Sequence, residues 1–175
     1  MRIDKMSLSD KFDKYITGQF ALNIHHLNDP NEPTGDWHGF IWNNIKELPC
    51  DELTYGGKGL EIDTIDIWGD FGIRNEYDHF LNKRIILNTS QIFAANYYRA
   101  ILDMIYLSIK KYNDILFLNC TIYDHLDNDE QANVIFEKLE MLKIGKEKDI
   151  INKIDKWIWH EKNYELIREG KLEIL

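Results

Sequence analysis

The hydrophobic positions in the first half of the chain recur over short distances and are often interrupted by turn residues. Over 20–24 (FALNI) the larger apolar residues alternate with small or polar ones, which predicts a short strand. A loop dense in Pro, Asn and Gly follows over 28–35. Apolar residues then return at helical spacing over 37–48, and either Thr34 or Asp36 is placed to cap the predicted helix.

The middle of the chain continues with turns and short strands. The glycines in 54–59 predict a tight turn. The alternation after it predicts a strand that starts at Leu60 and ends at Thr64 or Asp66. The sequence WGDFGI over 68–73 predicts another turn that leads into another short strand.

The second half has the apolar spacing of helices. A long helix is expected to open at Thr89 or Ser90 and to keep its large apolar residues on one face. A further apolar segment covers 115–123. The sequence DND at 127–129 is expected to cap a third helix, and a last helix covers about 146–168.

Together these elements predict an α+β fold in a single domain, residues 1–175. Short strands and a helix in a mixed part, 1–88, are expected to pack on a mainly helical part, 89–175. With 44% hydrophobic and 13% aromatic residues, a chain of 175 residues can bury a substantial core, so it is not a disordered tail.

Cysteine usage and the lack of sorting signals indicate the compartment. Cys50 and Cys120 have no metal-binding or redox spacing and are expected to be reduced thiols. Residues 1–13 lack the apolar core of a signal peptide, and no apolar run reaches the length of a membrane span. We therefore expect a cytoplasmic protein without a membrane role.

Negative charge is concentrated in one part of the chain. From Asp29 to Asp78 there are twelve acidic and three basic residues, a difference of nine that equals the net charge of −9 of the whole chain. Such a segment repels nucleic acid and suits a basic protein partner. The alternative is that the excess of acid only aids solubility.

The sequence GDWH at 35–38 is the main candidate for chemistry. Asp36 precedes His38 by two residues, so its carboxylate can orient the imidazole or share a metal with it, and His25 and His26 lie upstream. In the favoured alternative, Asp36 caps a helix and His38 hydrogen-bonds locally. The candidates for catalysis are Asp36 and His38, and those for metal binding are His25, His26 and His38. The sequence does not predict a definite catalytic residue, metal or cofactor.

Other familiar patterns lack the residues that their chemistry needs. The sequence YGGKG at 55–59 has neither the spacing nor the following helix of a phosphate-binding loop. The DFG triplet at 70–72 has no companion kinase motifs. No serine or cysteine lies in a nucleophile motif beside a base. These patterns predict turns rather than a reaction.

Two groups on the predicted helices carry charged or aromatic side chains. Arg99 and Asp103 are four residues apart and predict an ion pair, which is exposed or half-buried in the favoured interpretation and organises a polar site if it is buried. The aromatic residues of 157–164 do not all fit the buried stripe of one helix. Core packing is favoured for most of them, but some, including Trp159, are expected at the surface.

An ordered series of short motifs resembles a family of small bacterial proteins from toxin–antitoxin-like, abortive-infection-like or phage-defence-like loci. The motifs are FALNI at 20–24, GDWH at 35–38, DFGI at 70–73, ANYYRA at 95–100 and VIFEKL at 134–139. The resemblance spans most of the chain. It implies a role in defence, toxin neutralisation or phage–host conflict, and it implies no catalytic residue.

The leading hypothesis is a non-enzymatic inhibitor or antitoxin-type protein that neutralises a basic or nucleic-acid-processing protein partner. The residues predicted to bind that partner are Asp51, Glu52, Asp63, Asp66, Asp70 and Trp159. One alternative is a phage anti-defence protein whose acidic surface imitates nucleic acid. Another is a metal-dependent hydrolase or nuclease centred on Asp36 and His38, with His25 or His26.

Overall fold

The computed structural model describes most of the chain. The described residues are 14–24, 33, 42, 45–48, 51–87, 89–115 and 121–172. The predicted α+β class is confirmed, with a small four-stranded mixed sheet in the N-terminal half and a mainly helical C-terminal half. Apart from Pro33, the described residues up to Asp103 form one compact unit, the N-terminal unit, and those from Met104 onward form a second, the C-terminal unit.

The sheet of the N-terminal unit consists of very short strands. Their order in space is β2 (Tyr55–Gly56), β1 (Tyr15–Ile16), β4 (Phe93–Ala95) and β3 (Ile73–Asn75). β1 pairs antiparallel with β2 and parallel with β4, and β4 pairs antiparallel with β3. The central β1–β4 pair joins segments that are far apart in sequence, so burial must offset the entropy of closing that long loop.

Four helices begin in the same unit. They are α1 (Gly18–Leu22), α2 (Ile65–Trp68), α3 (Tyr77–Asn82) and α4 (Tyr97–Tyr112). The first three have six residues or fewer, so tertiary packing rather than intrinsic propensity must hold them.

The strand predicted over 20–24 is wrong, because residues 18–22 form α1. Gly18 has a φ of +64°, a left-handed conformation that ends β1 and turns the chain into the helix. Within so short a window, alternation of apolar residues does not separate a strand from a buried helical turn.

The strand predicted from Leu60 is also wrong. Ile62 makes an isolated bridge to Gly56, and the chain enters α2 at Ile65. Asp66 lies in the first turn of that helix, where a carboxylate interacts favourably with the helix dipole. The turn predicted over 54–59 is present at 58–59, but Tyr55 and Gly56 form β2 instead. The strand predicted to follow the 68–73 turn is confirmed as β3.

Two predicted helix boundaries also differ from the structure. The long helix starts at Tyr97, because residues 93–95 pair in the sheet as β4. The helix predicted over 37–48 does not extend through 45–48, where Glu47 instead bridges to Ile86. Of the rest of that prediction, Trp42 alone lies within the described residues.

Trp42 lies in the hydrophobic core of the N-terminal unit. Its side chain is 1% exposed, its ring centroid lies 4.7 Å from that of Phe80, and its Nε1 donates to the carbonyl oxygen of Phe20 at 3.0 Å. This hydrogen bond satisfies the indole N–H, so the large ring can be buried without an orphaned donor. The other buried members of the cluster are Ile16, Ile24, Leu53, Phe80, Ile85, Ile92 and Ala94.

The C-terminal unit is helical. A 3₁₀ helix (Ile122–Asp124) precedes α5 (Asp129–Leu142), α6 (Lys148–Lys162) and α7 (Tyr164–Arg168). The predicted cap of α5 is confirmed, since the side chain of Asn128 accepts from the backbone N–H of Gln131 at 3.0 Å.

The predicted last helix is divided at Asn163 into α6 and α7. The apolar stripe predicted for this helix is confirmed on α6, where Ile150, Ile154 and Ile158 are buried one turn apart. Glu161, on the same side of α6, is also buried. Among the described residues, no helix combines the length and apolarity that crossing a bilayer demands.

Candidate functional site

The most buried polar group of the N-terminal unit surrounds Arg99 on α4. The Arg99 and Asp103 side chains are both 0% exposed, and Nε of Arg99 lies 3.1 Å from Oδ1 of Asp103. The predicted ion pair is therefore present. The favoured expectation that it would be exposed or half-buried is wrong, because the first turns of α4 are covered on this face by the turn after α2 and by β1.

Each N–H group of the Arg99 guanidinium has an acceptor. Nε donates to Oδ1 of Asp103. Nη1 donates to the carbonyl oxygens of Gly69 (3.1 Å) and Phe71 (3.0 Å). Nη2 donates to the hydroxyl oxygens of Tyr15 (3.1 Å) and Thr64 (2.9 Å). Because guanidinium has five N–H donors in a fixed fork, this network uses all of them.

The Asp103 carboxylate is surrounded in the same way. Oδ2 accepts from the hydroxyl groups of Tyr15 and Thr17, each at 2.8 Å, and Oδ1 accepts from Thr64 at 2.7 Å as well as from Arg99. Burial raises the pKa of the Asp103 carboxyl group, and the Arg99 charge and the three hydroxyl donors act in the opposite direction. These donors offset the loss of hydration of a buried carboxylate.

This network joins three segments of the N-terminal unit. Tyr15 and Thr17 come from β1 and its end, Thr64 precedes α2, and Arg99 and Asp103 belong to α4. The hydroxyl partners were not predicted, because only the pair's own spacing of four residues is visible in the sequence. A network in which every N–H group of the guanidinium has an acceptor supplies rigidity rather than reactivity.

Because the Tyr15 hydroxyl group is buried in this network, we expect the folded protein to lose stability at alkaline pH. Burial, followed by the charge of Asp103, raises the pKa of Tyr15 above its usual value near 10. The folded state therefore holds this proton more tightly, so the stabilisation is complete below about pH 10 and is lost as the pH rises further. The free energy of unfolding, measured with urea between pH 8 and pH 11, should therefore decline as the pH rises. The decline with pH should be less steep in Tyr15→Phe. An equal slope in both proteins would contradict the assignment.

The predicted partner-binding carboxylates lie in exposed positions, with one exception. Asp51, Glu52, Asp66 and Asp70 are exposed. Asp63 is half-buried, and its Oδ2 accepts from the backbone N–H of Gly59 at 2.8 Å, so this carboxylate supports the turn before α2.

Exposed carboxylates differ between the two units in their pairing. In the N-terminal unit six of them form no ion pair with another described residue; we call this set the unpaired carboxylates. They are Glu47, Asp51, Glu52, Asp66, Asp70 and Asp78. In the C-terminal unit Glu130, Glu137 and Glu147 are likewise exposed without an ion pair to another described residue, but five carboxylates pair with Lys or Arg. These are Glu140 and Asp155 with Lys143, Asp149 with Lys153, Glu165 with Arg168, and Glu169 with Lys171.

Trp159, the predicted aromatic contact, is half-buried on α6. Trp157 is also half-buried, and its ring packs edge-on against Phe136 with centroids 6.3 Å apart. The ring centroids of His160 and Tyr164 are likewise 6.3 Å apart. The end of α6 therefore presents partly exposed aromatic rings.

The candidate catalytic and metal-binding residues Asp36, His38, His25 and His26 lie outside the described residues. Within the part of the chain that the structure describes, no three His, Cys, Asp or Glu side chains converge as a metal-binding set.

No family model matches this chain, and neither a curated protein nor a solved structure matches it. The function must therefore be argued from the chain's own charges and geometry.

Proposed function

We propose that the protein acts by binding a basic protein partner through the unpaired carboxylates of its N-terminal unit. The observation that supports this most directly is that none of the six forms an ion pair with another described residue. A carboxylate beside a lysine contributes little field at a distance, whereas an unpaired one contributes its full charge. The N-terminal unit therefore presents a negative potential that would attract and orient a cationic surface.

The buried network supports the same role. It leaves the charge of Arg99 matched by Asp103 inside the unit. Its full set of hydrogen bonds also holds the turn at Gly69 and Phe71 on α4. A rigid turn keeps Asp66 and Asp70 in place, and preorganised charges lose less entropy on binding than mobile ones do.

The motif resemblance suggests the biological setting. A small, acidic, non-enzymatic protein from a defence-type or toxin–antitoxin-like locus would act as an inhibitor, and its partner would be a basic or nucleic-acid-processing protein. An inhibitor of this kind gains speed from electrostatic steering, because the partner must be captured before it acts.

Neutralising four of the unpaired carboxylates should weaken binding to a lysine-rich peptide. The variant combines Asp51→Asn, Glu52→Gln, Asp66→Asn and Asp70→Asn. Its matched control neutralises four exposed, paired carboxylates of the C-terminal unit: Glu140→Gln, Asp149→Asn, Asp155→Asn and Glu169→Gln. Both variants change the net charge by the same amount. Fluorescence anisotropy at low salt should show affinity falling roughly tenfold or more in the first variant and far less in the control.

Equal loss in the two variants would mean that net charge alone governs binding, and the proposed surface would be rejected. The same pair of variants applies to the protein encoded beside this gene, tested by co-purification. We expect a complex at low salt that weakens as screening increases, since exposed charges lose most of their interaction beyond about 8 Å at 0.15 M salt. Absence of any complex at low salt would reject that neighbour as the partner.

A further inference from the structure

The C-terminal unit contains an open cavity of about 490 Å³. It lies where the start of α5 meets the junction of α6 and α7, beside the 3₁₀ helix. The residues that line it include two tyrosines and four acidic residues. These are Tyr123, Tyr164, Asp127, Asp129, Glu161 and Glu165.

The charge within the cavity is predominantly negative. Among the described lining residues one lysine occurs, Lys162, and its Nζ lies 5.1 Å from the ring centroid of Phe136. The hydroxyl group of Tyr123 donates to Oδ1 of Asp129 at 2.9 Å. Burial, this hydrogen bond and the charges of Asp129 and Glu161 raise the pKa of Tyr123 to about 12, as expected in a negative potential.

Glu161 is a buried carboxylate in the cavity wall with spare capacity to accept hydrogen bonds. It is 3% exposed. Its Oε2 accepts from the hydroxyl group of Thr121 at 2.6 Å and from the backbone N–H of Ile122 at 2.8 Å. Its Oε1 has one long contact, 3.4 Å to Nδ1 of His160. A carboxylate oxygen can accept two hydrogen bonds, so Oε1 can accept another donor.

We propose that this cavity binds the guanidinium group of an arginine side chain presented by the partner protein. The proposal rests on the proposed function, because it takes the ligand to be a cationic side chain of a protein partner. Tyrosine faces attract a cation, and a planar guanidinium both stacks on such rings and donates to carboxylates through two parallel N–H groups. A lysine ammonium is a compact point charge and matches only the electrostatic part of this environment.

Titration of the full chain with N-acetyl-arginine amide tests the assignment. We expect saturable ¹H–¹⁵N shift changes at Tyr123, Asp129 and Tyr164, with a dissociation constant of about 1 mM, typical of a single small contact. Asp129→Asn should weaken binding about tenfold, which corresponds to about 1.4 kcal/mol. Glu130→Gln is the matched control, because Glu130 is an exposed neighbour that does not line the cavity, and it should leave the affinity unchanged.

Other probes separate the possible ligands. N-acetyl-citrulline amide is the neutral counterpart of the arginine probe and should not bind. Equal binding of citrulline, of N-acetyl-lysine amide or of free spermine would overturn the guanidinium assignment, as would shift changes that avoid the cavity. If Asp129→Asn disturbs the spectrum of α5 itself, Tyr164→Leu replaces it, and an unchanged affinity there would count against stacking.

The two proposals fail separately. If the protein binds the lysine-rich peptide through its N-terminal carboxylates but does not bind the arginine probe, only the cavity proposal is rejected. If the protein binds the arginine probe but its binding of the lysine-rich peptide does not depend on the N-terminal carboxylates, the proposed function is rejected.

Discussion

Asp103→Asn is expected to lower the free energy of unfolding by about 3–5 kcal/mol, because removing one member of a buried ion pair leaves the other charge uncompensated. The asparagine keeps the shape of the side chain, so the loss reports on charge and hydrogen bonding rather than on a cavity. In the native protein the carboxylate accepts four hydrogen bonds, from Tyr15, Thr17, Thr64 and Arg99. Since domains are stable by about 5–15 kcal/mol, such a loss should be plain in urea unfolding followed by circular dichroism.

An exposed ion pair supplies the control for this measurement. Glu165 and Arg168 pair at 2.6 Å, but both side chains are more than 60% exposed. Glu165→Gln should therefore change the stability by about 1 kcal/mol or less. If Asp103→Asn were as mild as this control, the network would not stabilise the fold as argued. The double variant Arg99→Met/Asp103→Leu should be less destabilised than the sum of the single variants, because no lone charge remains.

Gly72→Ala should also be strongly destabilising, by about 2–5 kcal/mol. Gly72 has a φ of +70°, in which an alanine is strained by about 1–2 kcal/mol. A Cβ there would also meet Oδ1 of Asn96 and lie 2.7 Å from Cβ of Arg99, an overlap that adds roughly 1–3 kcal/mol. Asn96 cannot move freely, since its Oδ1 accepts from the backbone N–H of Arg99 at 2.9 Å and caps the start of α4.

Gly59→Ala separates the two contributions. Gly59 has a similar φ of +75°, but nothing lies within 4 Å of the position that its Cβ would occupy. This variant should lose only the strain, about 1–2 kcal/mol. Equal losses at the two positions would show that contact with Asn96 and Arg99 is unimportant, and that α4 tolerates a shift of its cap.

The candidate sites were visible in the sequence only in part. The Arg99–Asp103 pair and the cap of α5 follow from short-range rules, in which residues three or four apart on a helix meet, and both are present. The exposure of Asp51, Glu52, Asp66 and Asp70 agrees with the general tendency of charged side chains. The cavity for which we propose arginine binding was not predicted, because its wall combines Tyr123 and residues 127–129 with residues 161–166.

Local pattern was sufficient for the α+β class, the long helices and their buried stripes, because a helix repeats its geometry every 3.6 residues and needs no distant partner to be recognised. It failed for the short elements. Residues 18–22 are helical and residues 93–95 are a strand because of what they pack against. The burial of Arg99 and Asp103 depends in the same way on hydroxyl groups of Tyr15, Thr17 and Thr64, brought from distant parts of the chain. Hydrogen bonds across such distances exist only in the folded protein, so the tertiary structure alone decides where a charge can be buried.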